Sequence, residues 1–276
     1  MLQFVNCYLL LAHQNSYALK VGEQASQRLN FQNSILHRDF ENHLVEAGLK
    51  KDMVVLDLGC GNGTVTAWIA SYVGTKGKVI GVDNSPEQLE IARKLVIPNA
   101  EFMCCDVRDL DLVPNSIDFV CCRFLLMHLT DPLLVIKKAL HFLKEGGVFA
   151  AQEPINSATY LYPHESPFME KFRTHMHDIA TRHGVDYDIG KKMYPLFYQA
   201  GYQPIHLHFS QRMISIGAMK ELMLRFYGDI GSAAVKSGGI SEEDLMRQKE
   251  AIQDHPEEEG AYYLVPQQAH ISAYKK

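Results

Sequence analysis

Residues Val54–Thr64 read VVLDLGCGNGT: an apolar run, an acid at Asp57, then glycines at 59, 61 and 63. A buried strand that ends in such a turn brings a bound cofactor against the backbone, because glycine has no Cβ to hold a ligand away. The details of the turn separate the cofactors that use it. A triphosphate loop ends in Gly-Lys-Ser/Thr so that an ammonium reaches the phosphates, and here Gly63 is followed by Thr64 with no lysine. The dinucleotide fingerprint G-x-G-x-x-G places its third glycine where this chain has Thr64, which weakens a nicotinamide reading without removing it.

Outward from this turn, strand-like and helix-like patterns alternate. Short apolar runs occur at Met53–Leu58, Val79–Val82, Glu101–Cys105, Ile117–Cys122 and Val148–Ala151. They are nearly continuous rather than alternating, as in parallel strands buried on both faces. Between them, Val65, Trp68, Ile69 and Tyr72 recur at helical spacing and predict one apolar face. Ser85-Pro86 and Asp131-Pro132 each supply a capping oxygen followed by a proline suited to the first helical turn. The second of these helices is expected to run through Leu133, Ile136, Leu140 and Leu143 and to stop at Gly146-Gly147. The β-α-β-α order predicts an α/β fold with a doubly wound sheet. A stripe of Ala25, Leu29, Leu36, Phe40, Leu44 and Ala47 precedes this core as one or two helices. Stripes around Phe168–Ile179 and Met219–Phe226 follow it, with final strands at Leu207–Phe209 and His270–Tyr274.

The chain has 276 residues, 47% hydrophobic and 21% charged, with a formal net charge of −5. That balance fits a globular protein and argues against a standing electrostatic grip on nucleic acid. Six cysteines occur, none in a C-x-x-C pair, and Cys104, Cys105, Cys121 and Cys122 fall inside apolar runs. They read as reduced thiols packed as small hydrophobes. The N-terminal FVNCYLLLA is too short to span a bilayer and no basic residue precedes it, so a cytoplasmic location is expected.

VLDLGCGNG resembles the first motif of class I S-adenosylmethionine-dependent methyltransferases, and four further motifs follow at that family's spacing. Asp83, in VIGVDNSP, stands twenty residues after Gly63; Asp106-Val107 follow the third strand in FMCCDVRDL; SIDFV and LKEGGVFAAQEP resemble the fourth and fifth strand motifs. The resemblance covers residues 40–155 best. It implies a seven-stranded sheet, mostly parallel with an antiparallel last strand, helices on both faces, and S-adenosylmethionine as cofactor. It assigns Gly59, Gly61 and Asn62 to the turn beneath the cofactor, Asp83 and Asn84 to the ribose side, and Asp106 and Val107 to adenine. Asp57 either orients the cofactor's ammonium or anchors the loop. Arg123 just past the fourth strand is a further cofactor neighbour, since ligands collect at the carboxyl ends of parallel strands. The stretch YALKVGEQASQRLNFQ is similar to a segment that closes over the cofactor in a subset of these enzymes. By that likeness Tyr17 and Arg28 become candidates, the arginine for a carboxylate.

A sulfonium already carries an activated methyl group, so alignment and exclusion of water are the main requirements, and no catalytic triad is evident. His128 and Glu153 are candidate bases or polar anchors, and Tyr160 and Tyr162 candidates for shaping the acceptor site. His175-x-His177 and His206-x-His208 have metal-like spacing without accompanying carboxylates or cysteines, so no metal centre is expected. The fourth-strand run continues as Cys121-Cys122-Arg123-Phe124, not the Asn/Asp-Pro-Pro pattern of amino-methylating nucleic-acid enzymes, and no Pro-Cys nucleophile occurs. A small-molecule acceptor is therefore expected, with no nucleic acid partner, no membrane insertion, and O-, N- or C-transfer open. The alternatives are modification of a protein or RNA component of translation, a non-catalytic cofactor-binding module, and a residual dehydrogenase. The expected layout is a cap segment over 1–37 and a methyltransferase domain over 38–276, with lid-like insertions at about 156–190 and 215–262.

Overall fold

The computed structural model describes residues 23–236 and 238–276. Its main sheet has seven strands: β1 (Val54–Leu58), β2 (Lys78–Asp83), β3 (Ala100–Cys104), β4 (Ile117–Arg123), β5 (Leu143–Ile155), β7 (Ile205–Ser210) and β10 (Gln267–Tyr274), in the order β3-β2-β1-β4-β5-β10-β7. The order reverses between β1 and β4, and β10 runs antiparallel between β5 and β7. The expected doubly wound sheet with an antiparallel final strand is what forms. A second sheet, β6-β9-β8, joins three short strands, β6 (Tyr160–Tyr162), β8 (Met213–Ser215) and β9 (Tyr262–Leu264). The helices are α1 (Glu23–Glu46), α2 (Thr64–Val73), α3 (Pro86–Arg93), α4 (Pro132–Phe142), α5 (Pro167–His183), α6 (Met193–Ala200), α7 (Ile216–Lys236) and α8 (Glu242–Gln253). Among the described residues no helix is long and apolar enough to cross a membrane.

The strand pleat sorts the core into two clusters. Val55, Phe119, Cys121 and Ala150 face Phe40 and Leu44 of α1, Ala47 just after it, and Ile69, Ala70 and Val73 of α2. Leu56, Leu58, Val120, Cys122 and Phe149 face the opposite way, toward Val135, Ile136 and Ala139 of α4 and Phe197 of α6. Both faces of β1, β4 and β5 are thus covered, which is why these strands read as continuous apolar runs. β3 is one of the two edge strands and only partly covered, so Cys104 is exposed, whereas Cys60, Cys105, Cys121 and Cys122 are buried.

Three local expectations are corrected. α1 is one helix, and it runs unbroken through the 37/38 position at which the cap segment was expected to end. On α2 the fully buried stripe is Thr66, Ile69, Ala70 and Val73, rotated from the expected Val65-Trp68-Ile69-Tyr72 face. The cause is Thr66, whose hydroxyl donates to the buried Asp57 carboxylate at 2.6 Å. Trp68 and Tyr72 lie half-buried and stack on each other at 5.3 Å. α4 ends at Phe142 rather than at Gly146-Gly147. Its last carbonyls accept from the backbone N–H groups of Asn115 and Ser116, so no glycine cap is needed, and Leu143 already belongs to β5.

Candidate functional site

The chain leaves β1 by hydrogen-bonding across to the end of β2: the N–H groups of Gly59 and Cys60 both donate to the Val82 carbonyl, at 2.8 and 3.0 Å. Gly59, Gly61 and Gly63 take φ of +71°, +53° and +79°, a region costly for any residue with a Cβ. Their roles differ. A Cβ on Gly63 would meet that of Ala92 at 2.9 Å, so this glycine serves the packing of α2 on α3. A Cβ on Gly61 would have Leu29 of α1 as its nearest neighbour at 3.6 Å. Gly61 thus bares its backbone to the space between the turn and α1.

That space is a cavity of about 180 Å³ at the carboxyl ends of β1, β2 and β4. Its wall contains Arg28, Asp57, Gly59, Gly61, Asn62, Asp83, Asn84, Asp106, Val107 and Arg123, so every described cofactor candidate from the sequence gathers around one hollow. Tyr17 lies outside the described residues. Asp83 holds the turn: its two oxygens accept from the N–H groups of Gly61 at 2.8 Å and Ser85 at 2.9 Å. Ser85 in turn caps α3 through Gln88 N–H at 3.2 Å. One carboxylate therefore fixes the glycine turn and the start of α3 while facing the cavity. Burial raises its pKa. Asn62 is tied into the same turn, donating to Asn30 at 3.0 Å and accepting from the Thr64 hydroxyl at 2.9 Å.

The ionised groups are not equally committed. Arg28 donates through Nε to Asp229 of α7 at 2.5 Å, both side chains being buried. Its guanidinium also lies 5.4 Å from the Phe226 ring. The residue expected to grip a carboxylate already holds one from the protein. Asp106 is likewise engaged, accepting from Arg108 Nε at 2.9 Å and Nη2 at 2.6 Å. Arg123 differs. Its Nη1 is buried and without a hydrogen-bond partner, and burial lowers its pKa to about 10, against the opposing charges of Asp57 and Glu41. A guanidinium N–H left unpaired inside a protein is costly. Burial also lifts Asp57 to about 6, with Thr66 and Arg123 pulling the other way.

His128 lines the cavity, edge-on to Tyr187 at 5.6 Å. Burial, and then the charge of Arg28, drop it to about 3, so it is neutral at physiological pH. Glu153 lines no part of this cavity. It turns beneath the loop after β4 and accepts from the N–H groups of Leu125, Leu126 and Met127 at 2.9, 2.7 and 3.3 Å. Burial pushes it up to about 8. Tyr160 and Tyr162 are exposed on β6, Tyr162 stacked on Tyr262 at 4.9 Å, and neither lines this cavity. Sequence reasoning missed Leu29, Gln32 and Asn33, which share the cavity-facing side of α1 with Arg28; their i, i+1, i+4, i+5 spacing from Arg28 carried that signal. It also missed a second, apolar hollow of about 60 Å³ that shares Gln32, Phe124, Met127, Met176 and Phe226 with the first and continues to Leu222, Met223 and Tyr263.

The residues present suit S-adenosylmethionine. Gly61 offers a backbone cradle that a Cβ would fill, two acids stand at the ends of successive strands, and a buried unpaired guanidinium N–H matches the cofactor's carboxylate. The family description "methyltransferase domain" matches residues 49–201. Over 150 residues the chain is 35% identical to an uncharacterized 37.1 kDa protein in a transposon of Streptomyces fradiae, covering 53% of this chain and 42% of that one. Over 143 residues it is 30% identical to a demethylmenaquinone methyltransferase of Staphylococcus aureus, covering 49% of this chain and 58% of the relative. The matched part thus spans about half the length of these curated relatives. The solved structure of the YcgJ protein from Bacillus subtilis shares the fold, with a TM-score of 0.59 at 18% identity over 87% of this chain and 99% of that one. The chain belongs to the methyltransferase-domain family. The cofactor of this class is S-adenosylmethionine.

Proposed function

We propose that this chain transfers a methyl group from S-adenosylmethionine to a small acceptor with an apolar body. The observation that carries the reading is the pair of adjoining hollows, one walled by acids, glycines and Arg123, the other by Phe, Met, Leu and Tyr side chains. When bound, the cofactor supplies an electrophilic methyl on a sulfonium. In this reading Gly59 and Gly61 lie against its methionine portion and Arg123 takes the carboxylate. Asp83 and Asn84 hold the ribose, and Val107 packs beside the adenine with Asp106 at its amino group. Asn62 and Asp57 keep the turn in place. Met176, Phe226 and Leu222 hold the acceptor's apolar part and keep water from the reacting centre. His128, neutral and at the wall, accepts a hydrogen bond from an acceptor O–H or N–H and so orients it. The α5 and α7 segments act as the lid over both hollows. The demethylmenaquinone methyltransferase likeness supports an acceptor of this kind.

The test supplies methyl-labelled S-adenosylmethionine, the purified chain and a cell extract with its small-molecule pool. Label is expected in the low-mass, organic-extractable fraction. Label in polymer would overturn the acceptor class, and cofactor binding without any transfer would overturn the activity.

A further inference from the structure

Apart from both hollows, three imidazoles meet where α1 crosses the far side of the sheet. His43 lies in the last turn of α1, His208 on β7 and His270 on β10; one ring nitrogen from each lies within 4.8 Å of the other two. His208 and His270 are register partners across the antiparallel pair and stack with centroids 4.7 Å apart. His43 meets both edge-on at 5.2 Å. None of the three lines either hollow. The sequence pointed to His206-x-His208 as the pair to check, but His206 sits against Tyr274 instead. The other members come from residues 165 positions before His208 and 62 after it.

The hydrogen bonds fix which nitrogens carry protons. His43 Nε2 faces the Ile271 carbonyl at 2.9 Å, a pure acceptor, so Nε2 carries the proton and Nδ1 keeps a lone pair. His270 Nε2 faces the Ser210 hydroxyl at 2.9 Å, and that hydroxyl donates on to Asp39 at 3.4 Å. The hydroxyl's proton is thereby committed, so His270 Nε2 is the donor as well, and its Nδ1 keeps a lone pair. That Nδ1 is buried with no hydrogen-bond partner, on a residue with 0% exposure. Two buried imidazoles that anchor Nε2–H on a carbonyl and on a Ser–Asp relay, with a lone pair kept on each Nδ1, have the outer arrangement that metal-ligating histidines use. Burial keeps both neutral, His43 near 4 and His270 near 3, as ligation requires.

We propose that His43, His208 and His270 form a three-histidine site for one divalent transition metal of borderline softness, zinc above all, that staples the end of α1 to β7 and β10. Imidazole nitrogens suit zinc at about 2.0–2.1 Å, which places ligand atoms about 3.3 Å apart in a tetrahedron. The exposed His208 ring has the freedom to turn toward the other two, and the solvent beside it supplies the fourth ligand. Because α1 also carries Arg28, Leu29, Gln32 and Asn33 over the cofactor cavity, the staple steadies that roof from its far end.

The test uses the full chain stripped with a chelator. Calorimetry with zinc chloride is expected to show one site per chain, a raised thermal midpoint, and a tetrahedral visible spectrum on substitution with cobalt. His208→Ala removes an exposed ligand without opening the core, and is expected to weaken zinc at least 100-fold and to abolish the midpoint shift. His177→Ala, an exposed histidine elsewhere, leaves both unchanged. Absence of one-site binding, or zinc affinity in His208→Ala equal to that of the parent chain, would overturn the proposal. Neither readout depends on methyl transfer, so the site stands or falls separately from the proposed activity.

Discussion

The two adjoining hollows are built by opposite means. The polar one has its floor at the strand ends, made by residues close together in the chain and roofed by α1: the glycine turn follows β1 directly, Asp83 closes β2, and Asp83 grips Gly61 only 22 positions away. The apolar one is assembled from α1, the loop after β4, α5, α7 and the β9–β10 connection, with no two walls adjacent in sequence. The seam between them is the Arg28–Asp229 pair, which joins α1 to α7 across 201 positions. The cofactor side is therefore a property of local backbone geometry, and the acceptor side a property of how the insertions dock. Changes to the seam should act on stability first, and changes to the strand ends on cofactor affinity first.

Breaking the seam has the largest expected effect. Arg28→Met leaves the Asp229 carboxylate buried without its partner, and removing one member of such a pair costs about 3–5 kcal/mol. The paired change Arg28→Met with Asp229→Leu removes the stranded charge and should recover most of that loss. Urea unfolding measures both. The double variant also separates the two arginines, because its affinity for S-adenosylmethionine should stay within about tenfold of the parent. A much larger loss would make Arg28, not Arg123, the carboxylate ligand.

On the strand ends, Asp83→Ala should weaken S-adenosylmethionine binding about 100-fold, in line with about 1.5–3 kcal/mol per charge-assisted hydrogen bond. The carboxylate also holds Gly61 and Ser85, so some of that loss comes through the turn. Asp83→Asn keeps one acceptor oxygen for the turn and should fall between the two. Calorimetry that returned parent affinity for Asp83→Ala would remove the ribose role.

What the sequence made legible follows the same division. The main strands, the Ser85 and Asp131 caps and the glycine turn are decided by neighbours within a few residues, and each formed where its pattern stood. The misses are long-range. β6 and β9 are three residues each and pair positions about a hundred apart, Tyr160 with Leu264, so neither carries a readable period. The partner of Arg28 could not be read from α1 alone. Even on α2, the Thr66–Asp57 hydrogen bond turned the helix away from its most apolar face. The candidate cofactor residues were legible as a group because the family spacing ties them to strand ends. Which of the two arginines is committed elsewhere was not, since that depends on a residue from α7.

The smallest effect, and the finest division of the molecule, is in pH. The cofactor half of the sheet buries the carboxylates, Asp57 held near 6 and Glu153 near 8, while buried imidazoles stand on α1 and the far strands, His43 near 4 and His270 near 3, and at the cavity wall, His128 near 3. The signs oppose. A carboxyl whose folded pKa is raised adds stability that is complete below about pH 4 and is lost as pH climbs through about 6 for Asp57 and about 8 for Glu153. An imidazole whose folded pKa is lowered adds stability that is complete above about 6.5 and is lost as pH falls toward 4 and 3, because the unfolded chain takes up the proton first. Metal-free protein should therefore be most stable near pH 6.5, with the unfolding free energy from urea titration falling on both sides by on the order of 1 kcal/mol per pH unit. His43→Gln should flatten only the acid limb and Glu153→Gln only the alkaline one. If either substitution flattened both limbs equally, buried charge would not be divided between the two halves, and the pH response would belong to the fold as a whole.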